Sequence, residues 1–172
     1  DVGASTGGFT HCLLFRGAQK VYAVDVGYGQ LDWSLRNDPR VVCLEKTNIR
    51  YLSPEAIADS ISLAVTDTSF ISLKKVIIPV LKLIAKNGEI LSLIKPQFEL
   101  SPQEVGKGGG VVRDPKLHLK AVEEISKFAK DLGLIVIGTV ESPLKGPKGN
   151  KEFFICLKKN ENKRSSVFRI LF

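Results

Sequence analysis

Short apolar runs and helical patterns alternate along most of the chain. The runs are rich in β-branched and aliphatic residues, as buried strands are; they are VYAVDVG (21–27), RVVCLE (40–45), SLAVTD (62–67), EILSLIK (89–95), LIVIGTVES (134–142) and EFFICLK (152–158). Between them, apolar spacing and capping residues predict helices over 10–16, about 30–36, a segment opened by Ser53-Pro54, 73–85, and 114 to about 132. Residues 96–113 are predicted to form a long polar loop.

This alternation predicts an α/β doubly wound sandwich. Strands that are separated by helices lie parallel in one sheet, with helices on both faces. Asp1 and Val2 look like the end of a further, truncated strand, which gives a mostly parallel sheet of seven strands. The last connection, PLKGPKGN, has no helical pattern, so the last strand is predicted to be antiparallel and at or near an edge.

The overall charge favours an anionic partner. The 172 residues include 25 Lys and Arg against 18 Asp and Glu, a net charge of +7, and nucleic acid is the partner that such a balance suggests. Residues 158–172 are predicted to be a basic tail after a single domain of residues 1–157. The chain begins at Asp1 and contains no Met, so it is expected to be a piece of a longer protein. The sequence has no apolar run long enough to cross a bilayer, so no membrane association is expected.

Three cysteines, Cys12, Cys43 and Cys156, are far apart, and each has apolar neighbours. They are predicted to be buried free thiols with neither a disulfide framework nor a metal site, which indicates the cytoplasm. His11 and His118 show no ligand-like spacing with them, so zinc is not expected.

Polar residues and glycines stand where the predicted strands end. In open α/β sheets, ligands bind beyond the carboxyl ends of the strands. The residues at these ends are Asp1-Val2-Gly3, Asp25, Glu45 to Asn48, Asp67 and Lys95. Each of them alone is ordinary for a strand exit, and together they predict a ligand cleft.

The first ten residues, DVGASTGGFT, predict a turn that holds a charged small molecule. They match neither G-x-G-x-x-G nor G-x-x-x-x-G-K-[ST], which argues against a dinucleotide fingerprint and a P-loop. An amino acid end could be held by the first carboxylate and by free backbone N–H groups at the helix start. The candidate cofactor residues here are Asp1, Gly3, Ser5, Thr6, Gly7, Gly8 and Phe9. The alternative is a plain tight turn between a strand and a helix.

A nucleoside site is predicted at the next two strand ends. Asp25 lies 17 residues past Gly8, where an acid can accept from both hydroxyls of a ribose. The segment KTNIR could contact an adenine through Asn48 and Ile49. An amino acid end, a ribose and an adenine match S-adenosylmethionine better than NAD. A turn cap at Asp25 and an ordinary turn at KTNIR remain the alternatives.

Asp67 and Lys95 are the candidate catalytic pair. Adjacent strand ends would place them on one wall of the cleft. A lysine that enters a partly apolar cleft can serve as a base, whereas a nearby carboxylate favours the charged ammonium. Glu152, at the start of the last strand, could reach the same rim. The alternatives are a structural ion pair and, for Glu152, a solvated carboxylate on an edge strand.

Several long segments together resemble one family. DVGASTGGFT, VYAVDVGYGQLDWSLRNDPRV, TDTSFISL, LIKPQFE, VGKGGGVVRDP and GPKGNKEFF, in order from Asp1 to about Leu157, are similar to the TlyA (hemolysin A) family of FtsJ-like ribosomal RNA 2′-O-methyltransferases. The resemblance implies a Rossmann-like S-adenosylmethionine-dependent methyltransferase fold. It also implies a catalytic Lys-Asp-Lys-Glu set that falls on Asp67, Lys95 and Glu152, with Asp67 also near the methyl donor. The first lysine and an S4-like RNA-binding domain would precede Asp1.

Two loops are candidates for bringing RNA to the cleft. Residues 97–113 contain Lys107, three consecutive glycines and Arg113, and residues 145–151 contain Lys145, Lys148 and Lys151. Mobile basic loops suit phosphate contacts that do not distinguish bases; plain solvated loops are the alternative. The expected partners are ribosomal RNA or ribosomal subunits.

Two other functions remain open. The family name suggests a membrane-active hemolysin or cytotoxin, for which the sequence offers no amphipathic or spanning segment. An NAD-dependent oxidoreductase would also use an α/β sheet, but the glycine spacing disfavours it.

Overall fold

Helices and strands alternate along the chain as the apolar pattern predicted. The structure is a computed structural model and describes residues 1–106 and 110–160. The strands are β1 (Val21–Val24), β2 (Val41–Leu44), β3 (Ile61–Thr66), β4 (Ile84–Ile94), β5 (Leu134–Glu141) and β6 (Phe153–Lys159). The helices are α1 (Gly8–Phe15), α2 (Trp33–Arg36), α3 (Lys74–Leu83), α4 (Pro96–Glu99), α5 (Pro102–Val105) and α6 (Pro115–Asp131), and 3₁₀ turns cover Ile49–Tyr51 and Pro54–Ala56.

The strands form two parts of a mixed sheet, one of two strands in the order β2-β1 and one of four strands in the order β3-β4-β6-β5. β1 pairs in parallel with β2, and β3 with β4. Val2 connects the two halves because it bridges in parallel to Val24 and to Thr66, at the place of the predicted truncated strand. β6 runs antiparallel to β4 and β5. The antiparallel last strand is therefore confirmed, and it lies one place in from the edge, which β5 forms.

Helices cover both faces of the sheet. Val21 and Ala23 of β1 belong to an apolar cluster with α1 and α2, whereas Val24 belongs to a larger cluster with α3 and α6. Side chains alternate between the faces of a strand, so the two clusters lie on opposite faces. Val76 and Ile77 of α3 are completely buried, and burial of each such side chain stabilises the fold by about 1.5–3 kcal/mol.

α6 forms where the capping residues predicted it. The Asp114 carboxylate accepts a hydrogen bond from the Lys116 backbone N–H at 2.9 Å, and Pro115 occupies the first helical position. The chain leaves the helix at Gly133, whose φ is 82°. The positions that α6 buries recur at helical spacing; they are His118, Ala121, Ile125 and Ala129.

The segment predicted as a long polar loop contains two short helices, so that prediction is wrong for its first half. α4 and α5 each begin with proline, which has the helical φ already set. In α5, Ser101 and Glu104 form a capping box, in which each side chain bonds to the other residue's backbone N–H. Local capping therefore orders residues that carry little apolar periodicity.

Other boundaries also differ from the prediction. Ser53-Pro54 opens only a 3₁₀ turn, and the Ser53 side chain caps no backbone N–H there. β4 begins at Ile84, five residues earlier than the predicted strand. Its first residue, Ile84, pairs with Ile61 of β3, and a register shift separates this pair from the regular pairing that follows. α3 continues through Pro79.

The cysteines are free, as predicted, but they are not buried. Cys12 is exposed, and Cys43 and Cys156 are partly exposed. In α1 the buried positions are Thr10 and Leu14, so Cys12 lies on the outer face of that helix.

A groove of about 710 Å³ lies at the amino ends of β1 and β3. Val21 and Ile61 line it, together with Asp1 and Val2, which lie between the two strands. The candidate catalytic residues are at the other ends of the strands and do not line this groove.

Within residues 1–106 and 110–160, no helix combines the length and the apolar character that crossing a bilayer requires.

Candidate active site

Three charged side chains meet at the carboxyl edge of the parallel strands. Asp67 directly follows β3, and Lys95 directly follows β4. Glu152 precedes β6, and because Phe153 pairs with Ile94, the antiparallel strand brings Glu152 to the level of Lys95. Residues 67, 95 and 152 are thus collected at one edge by the pairing of the sheet.

Lys95 is held by two neighbours from the segment after β3. Its side chain is nearly buried; its Nζ lies 2.5 Å from Asp67 Oδ1 and donates a hydrogen bond to Ser69 Oγ at 3.1 Å. The contact between Lys95 and Asp67 is an ion pair whose angles do not meet those of a hydrogen bond. Asp67 Oδ1 therefore has no hydrogen-bond donor among the described residues. Ser69 orients the Lys95 amine through its hydrogen bond, and the Asp67 carboxylate balances its positive charge.

Glu152 is 6 % exposed and lies beside this pair. Burial raises the pKa of its carboxyl above the usual value, and the charge of Asp67 raises it further, whereas Lys95 and a hydrogen bond from Gln97 lower it. A Cβ on Gly146 would lie 2.5 Å from Glu152 Oε1, so the loop before β6 closes tightly on the carboxylate. One amine therefore faces two carboxylates, of which Glu152 is buried and Asp67 is 35% exposed at its side chain.

The segments that carry the aspartate and the lysine are joined by further contacts. Glu99 of α4 accepts hydrogen bonds from Ser72 Oγ at 2.5 Å and from the Leu73 N–H at 2.8 Å. The rings of Phe98 and Phe70 are 5.2 Å apart. Phe70 is 91 % exposed and has a φ of 63°, which is costly for an aromatic residue. These contacts hold the turn at Phe70, whose backbone is strained, beside the cluster of Asp67, Lys95 and Glu152.

The opening glycine turn fits closely against the same strand end. Gly3 has a φ of 81°, and a Cβ at this position would lie 2.2 Å from the Asp67 carbonyl oxygen. Gly7 precedes α1 with a φ of 102°, and a Cβ there would lie 2.2 Å from the Leu35 side chain. Only glycine fits both positions, so the turn comes within contact distance of the backbone that carries Asp67.

Two acids border this turn. Asp1 Oδ2 accepts a hydrogen bond from Thr10 Oγ1 at 2.7 Å, while Asp1 Oδ1 is buried and meets no donor within the described part of the chain. Asp25 accepts from the Ser5 N–H at 2.8 Å and from the Gly27 N–H at 2.7 Å. A carboxylate oxygen has more than one acceptor site, so both acids keep capacity for a ligand, and Asp1 keeps an unused buried oxygen.

The other candidate cofactor residues differ in their suitability. Thr6 and Gly8 are exposed on the turn, and the Phe9 ring packs edge-on against Phe154, 6.2 Å away. Asn48 caps the following turn through its side chain, which accepts from the Arg50 N–H at 3.1 Å. Ile49 is 6 % exposed and belongs to the hydrophobic core, and its contact with an adenine stays a prediction.

The candidate RNA-contacting residues lie on exposed loops, as far as the structure describes them. Arg113, Lys145, Lys148 and Lys151 are exposed, and Lys151 forms an ion pair with Glu141 at 2.9 Å. Lys107 lies outside the described residues, as does the predicted tail from residue 161 onward; Lys158 and Lys159 belong to β6.

Hydrogen bonds of a buried asparagine connect the two basic loops. Asn150 donates to the Gly110 carbonyl at 2.9 Å and accepts from the Val112 N–H at 2.8 Å. The His118 ring nitrogen Nε2 bonds to the Val112 carbonyl at 2.9 Å. Because Asn150 is two residues before Glu152, it anchors Gly110 and Val112 next to the buried carboxylate.

Sequence reasoning missed several residues of this site. Ser69 and Glu99 lie in the segments TDTSFISL and LIKPQFE, beside residues that were identified, but their roles depend on contacts between the two segments. Gln97 and Asn150 are uncharged amides in polar stretches, and nothing in the one-dimensional pattern distinguishes them from solvated residues.

Solved structures resemble this chain over nearly its full length. A structure from Lactococcus lactis is 41% identical and superimposes with a TM-score of 0.90, over 99% of this chain and 84% of that chain. The N-methyltransferase NodS from Bradyrhizobium japonicum, in complex with S-adenosyl-l-homocysteine, superimposes with a TM-score of 0.64 at 14% identity, over 93% of this chain and 76% of that chain. The second likeness shows the α/β methyltransferase fold alone.

Sequence comparisons point in the same direction. The model of the family described as FtsJ-like methyltransferase matches residues 1–159. The 16S/23S rRNA (cytidine-2'-O)-methyltransferase TlyA of Mycobacterium tuberculosis is 51% identical over 167 residues, which are 97% of this chain and 62% of that protein. The chain therefore spans less than two thirds of this relative's length.

Proposed function

The chain belongs to the FtsJ-like methyltransferase family, and from this premise we propose that it transfers a methyl group from S-adenosylmethionine to a ribose 2′-hydroxyl of ribosomal RNA. The observation that carries the proposal is the cluster in which Lys95 contacts Asp67 at 2.5 Å and lies beside the buried Glu152. The M. tuberculosis relative supports the choice of substrate.

The cluster supplies what methylation of an alcohol needs from a protein. A ribose hydroxyl is a weak nucleophile, so its oxygen must be aligned with the methyl group and its proton removed as the new bond forms. Lys95 is the base or orienting group for that hydroxyl, and Asp67 and Glu152 hold its side chain in place. Alignment supplies up to about 7–11 kcal/mol in favourable systems, and a general base adds about 10²–10⁴-fold.

The opening turn is the proposed holder of the methyl donor, which supplies an electrophilic methyl group on sulfur when bound. The unused buried Oδ1 of Asp1 is suited to accept from an ammonium group. Asp25 is placed to accept from ribose hydroxyls, and Asn48 borders the place for an adenine. Gly8 leaves room for a ligand, since a Cβ there would meet nothing within 4 Å among the described residues.

The two basic loops are the proposed path of the RNA. Lys145, Lys148 and Lys151 lie in the segment that leads to Glu152, and Arg113 lies near the segment that Asn150 anchors. Phosphate contacts from such loops position RNA without distinguishing bases. A ribosomal substrate places the reaction in the cytoplasm.

Methyl incorporation tests the proposed reaction directly. Full-length protein is mixed with bacterial ribosomal subunits and S-adenosylmethionine labelled in its methyl group, and the RNA is hydrolysed to nucleosides. Label is expected in a 2′-O-methyl nucleoside. Label in a base, or no label in RNA of either subunit, would contradict the proposal, and leakage of dye from liposomes under the same conditions would favour a membrane-active toxin instead.

Ligand-dependent melting distinguishes the methyl donor from NAD. A ligand present at 100 times its Kd stabilises the folded state by about 2.7 kcal/mol, which for a chain of this size raises the Tm by about 5–10 °C. This shift is expected with S-adenosylmethionine or S-adenosylhomocysteine, and no shift is expected with NAD. An equal shift with NAD would contradict the assignment of the glycine turn.

A further inference from the structure

Glu99, the last residue of α4, caps a helix to which it does not belong. Leu73 directly precedes α3, and its own side chain forms no cap. The Glu99 carboxylate takes that place, because its Oε1 accepts a hydrogen bond from the Leu73 N–H at 2.8 Å and its Oε2 accepts from Ser72 Oγ at 2.5 Å. Both oxygens of Glu99 are therefore used at the start of a helix that comes earlier in the chain.

These hydrogen bonds compensate for the partial burial of the carboxylate. Glu99 is half-buried, and burial raises its pKa above the usual value, whereas the hydrogen bonds from Leu73 and Ser72 lower it. The charge of Lys74 lowers this pKa as well, and that of Glu124 raises it. Burying a carboxylate costs free energy unless hydrogen bonds offset the lost hydration. The contacts at the start of α3 are thus what keeps Glu99 in this position.

The turn that Glu99 fastens carries a partner of the Lys95 amine. Residues 67–72 lie between β3 and the start of α3, and Ser69 within them accepts the hydrogen bond from Lys95 Nζ at 3.1 Å. Phe70 has a φ of 63°, so the turn contains a strained backbone that outside contacts must stabilise. Glu99 supplies such contacts from α4, which begins directly after Lys95. The lysine and the turn are therefore fixed to each other at two places.

We infer that Glu99 is a positioning residue for the methyl transfer: by capping α3 it sets the turn of residues 67–72 so that Ser69 orients the Lys95 amine. The inference rests on the proposed function, and Glu99 itself touches neither RNA nor methyl donor. A neutral amine has two N–H groups and one lone pair. When the N–H groups point at Ser69 and Asp67, the lone pair has one direction left, which is the direction for the ribose hydroxyl.

Two substitutions of Glu99 and one stability control test this role. Glu99→Ala removes both hydrogen bonds, whereas Glu99→Gln keeps an oxygen for the Leu73 N–H and an amide nitrogen that can donate to Ser72 Oγ. Ile77→Val removes one carbon from a completely buried side chain of α3, so it lowers stability without touching the turn. The full-length variants are compared for Tm, for kcat and KM with ribosomal subunits, and for Kd of S-adenosylhomocysteine.

Glu99→Ala is expected to lower kcat about tenfold, since a displacement of about 1 Å in a reacting group can cost 10²-fold and a smaller shift of the turn costs part of that. KM and the Kd of S-adenosylhomocysteine should stay unchanged. The Tm should fall by about 2–4 °C, as loss of a helix cap does in a chain of this size. Ile77→Val should show a similar Tm with an unchanged kcat, and Glu99→Gln should recover most of the lost kcat.

Ser69→Ala tests whether Glu99 acts through Ser69. Alone, this substitution is expected to lower kcat about 10–100-fold, because it removes a hydrogen bond to the amine. In the Ser69→Ala background, Glu99→Ala should lower kcat less than about threefold, since two residues that act along one path are not additive. A full tenfold loss in that background would overturn the route through Ser69.

Three further outcomes would contradict the inference. If Glu99→Ala loses no more kcat than Ile77→Val at an equal Tm, Glu99 has only a structural role. If KM or the Kd of S-adenosylhomocysteine changes in place of kcat, Glu99 supports binding of RNA or of the methyl donor. No recovery in Glu99→Gln would contradict a role through hydrogen bonds. If the unsubstituted protein and Ile77→Val also fail to methylate RNA, the proposed function itself is wrong.

Discussion

Lys95→Ala is expected to lower the rate of methyl transfer by about 10²–10⁴-fold, the contribution of a positioned acid or base, while the methyl donor still binds. The Lys95 amine is 2.5 Å from Asp67 and has less than a tenth of its surface exposed, so another amine from solvent cannot easily replace it. Single-turnover incorporation of labelled methyl measures the loss, and calorimetry with S-adenosylhomocysteine measures donor binding.

Lys75→Ala is the matched control, because this lysine is exposed on α3. It should retain full activity. If Lys95→Ala keeps more than about a tenth of the rate, the base or orienting group must be sought elsewhere. If it loses donor binding to the same extent, Lys95 belongs to the cofactor site.

Gly3→Ala is expected to destabilise the fold by about 2–5 kcal/mol and to impair the site together with it. A residue with a side chain is strained at the φ of 81°, and the added Cβ would lie 2.2 Å from a backbone oxygen of Asp67. The strand end must shift to relieve the clash, and an error of about 1 Å in a reacting group can cost 10²-fold in rate. Urea unfolding gives the free energy, and methyl incorporation gives the rate.

Gly138→Ala serves as its control. Gly138 is in β5, where a Cβ would meet nothing within 4 Å in the described part of the chain, and its φ is not left-handed. Its free energy of unfolding should change by less than about 0.5 kcal/mol. Equal stability of the Gly3 and Gly138 variants would show that the opening turn can relax, and that its approach to Asp67 is not required.

The elements that the sequence predicted well are those whose signals are local. α6 has an Asp cap, a first-turn Pro and buried residues at helical spacing, and it forms over Pro115–Asp131. Asp67 and Lys95 were found because strand ends in parallel sheets meet at one edge. Glu152 required a further step, since its placement depends on a strand that runs the other way.

The features that the sequence did not predict depend on tertiary contacts or on a short capping signal. The capping box of α5, S-P-Q-E, is present in the sequence, but the polar residues and glycines around it favour the prediction of a loop. Ile49 was assigned to an adenine from its place after a strand, and only the packing shows that its side chain belongs to the core as well. The buried Oε1 of Gln97, which has no donor among the described residues, is seen only in the folded structure.

The antiparallel pairing of β6 sets the point during synthesis at which the proposed catalytic cluster can be completed. β4 emerges from the ribosome about 60 residues before β6. Until the β5–β6 hairpin pairs with β4, one edge of β4 has no partner strand. Lys95 then faces a single carboxylate, that of Asp67. Pairing of β6 with β4 completes the sheet and brings Glu152 to the level of Lys95 in one event. A nascent or truncated chain that ends after β5 is therefore expected to expose an unpaired strand edge and to lack the proposed catalytic glutamate.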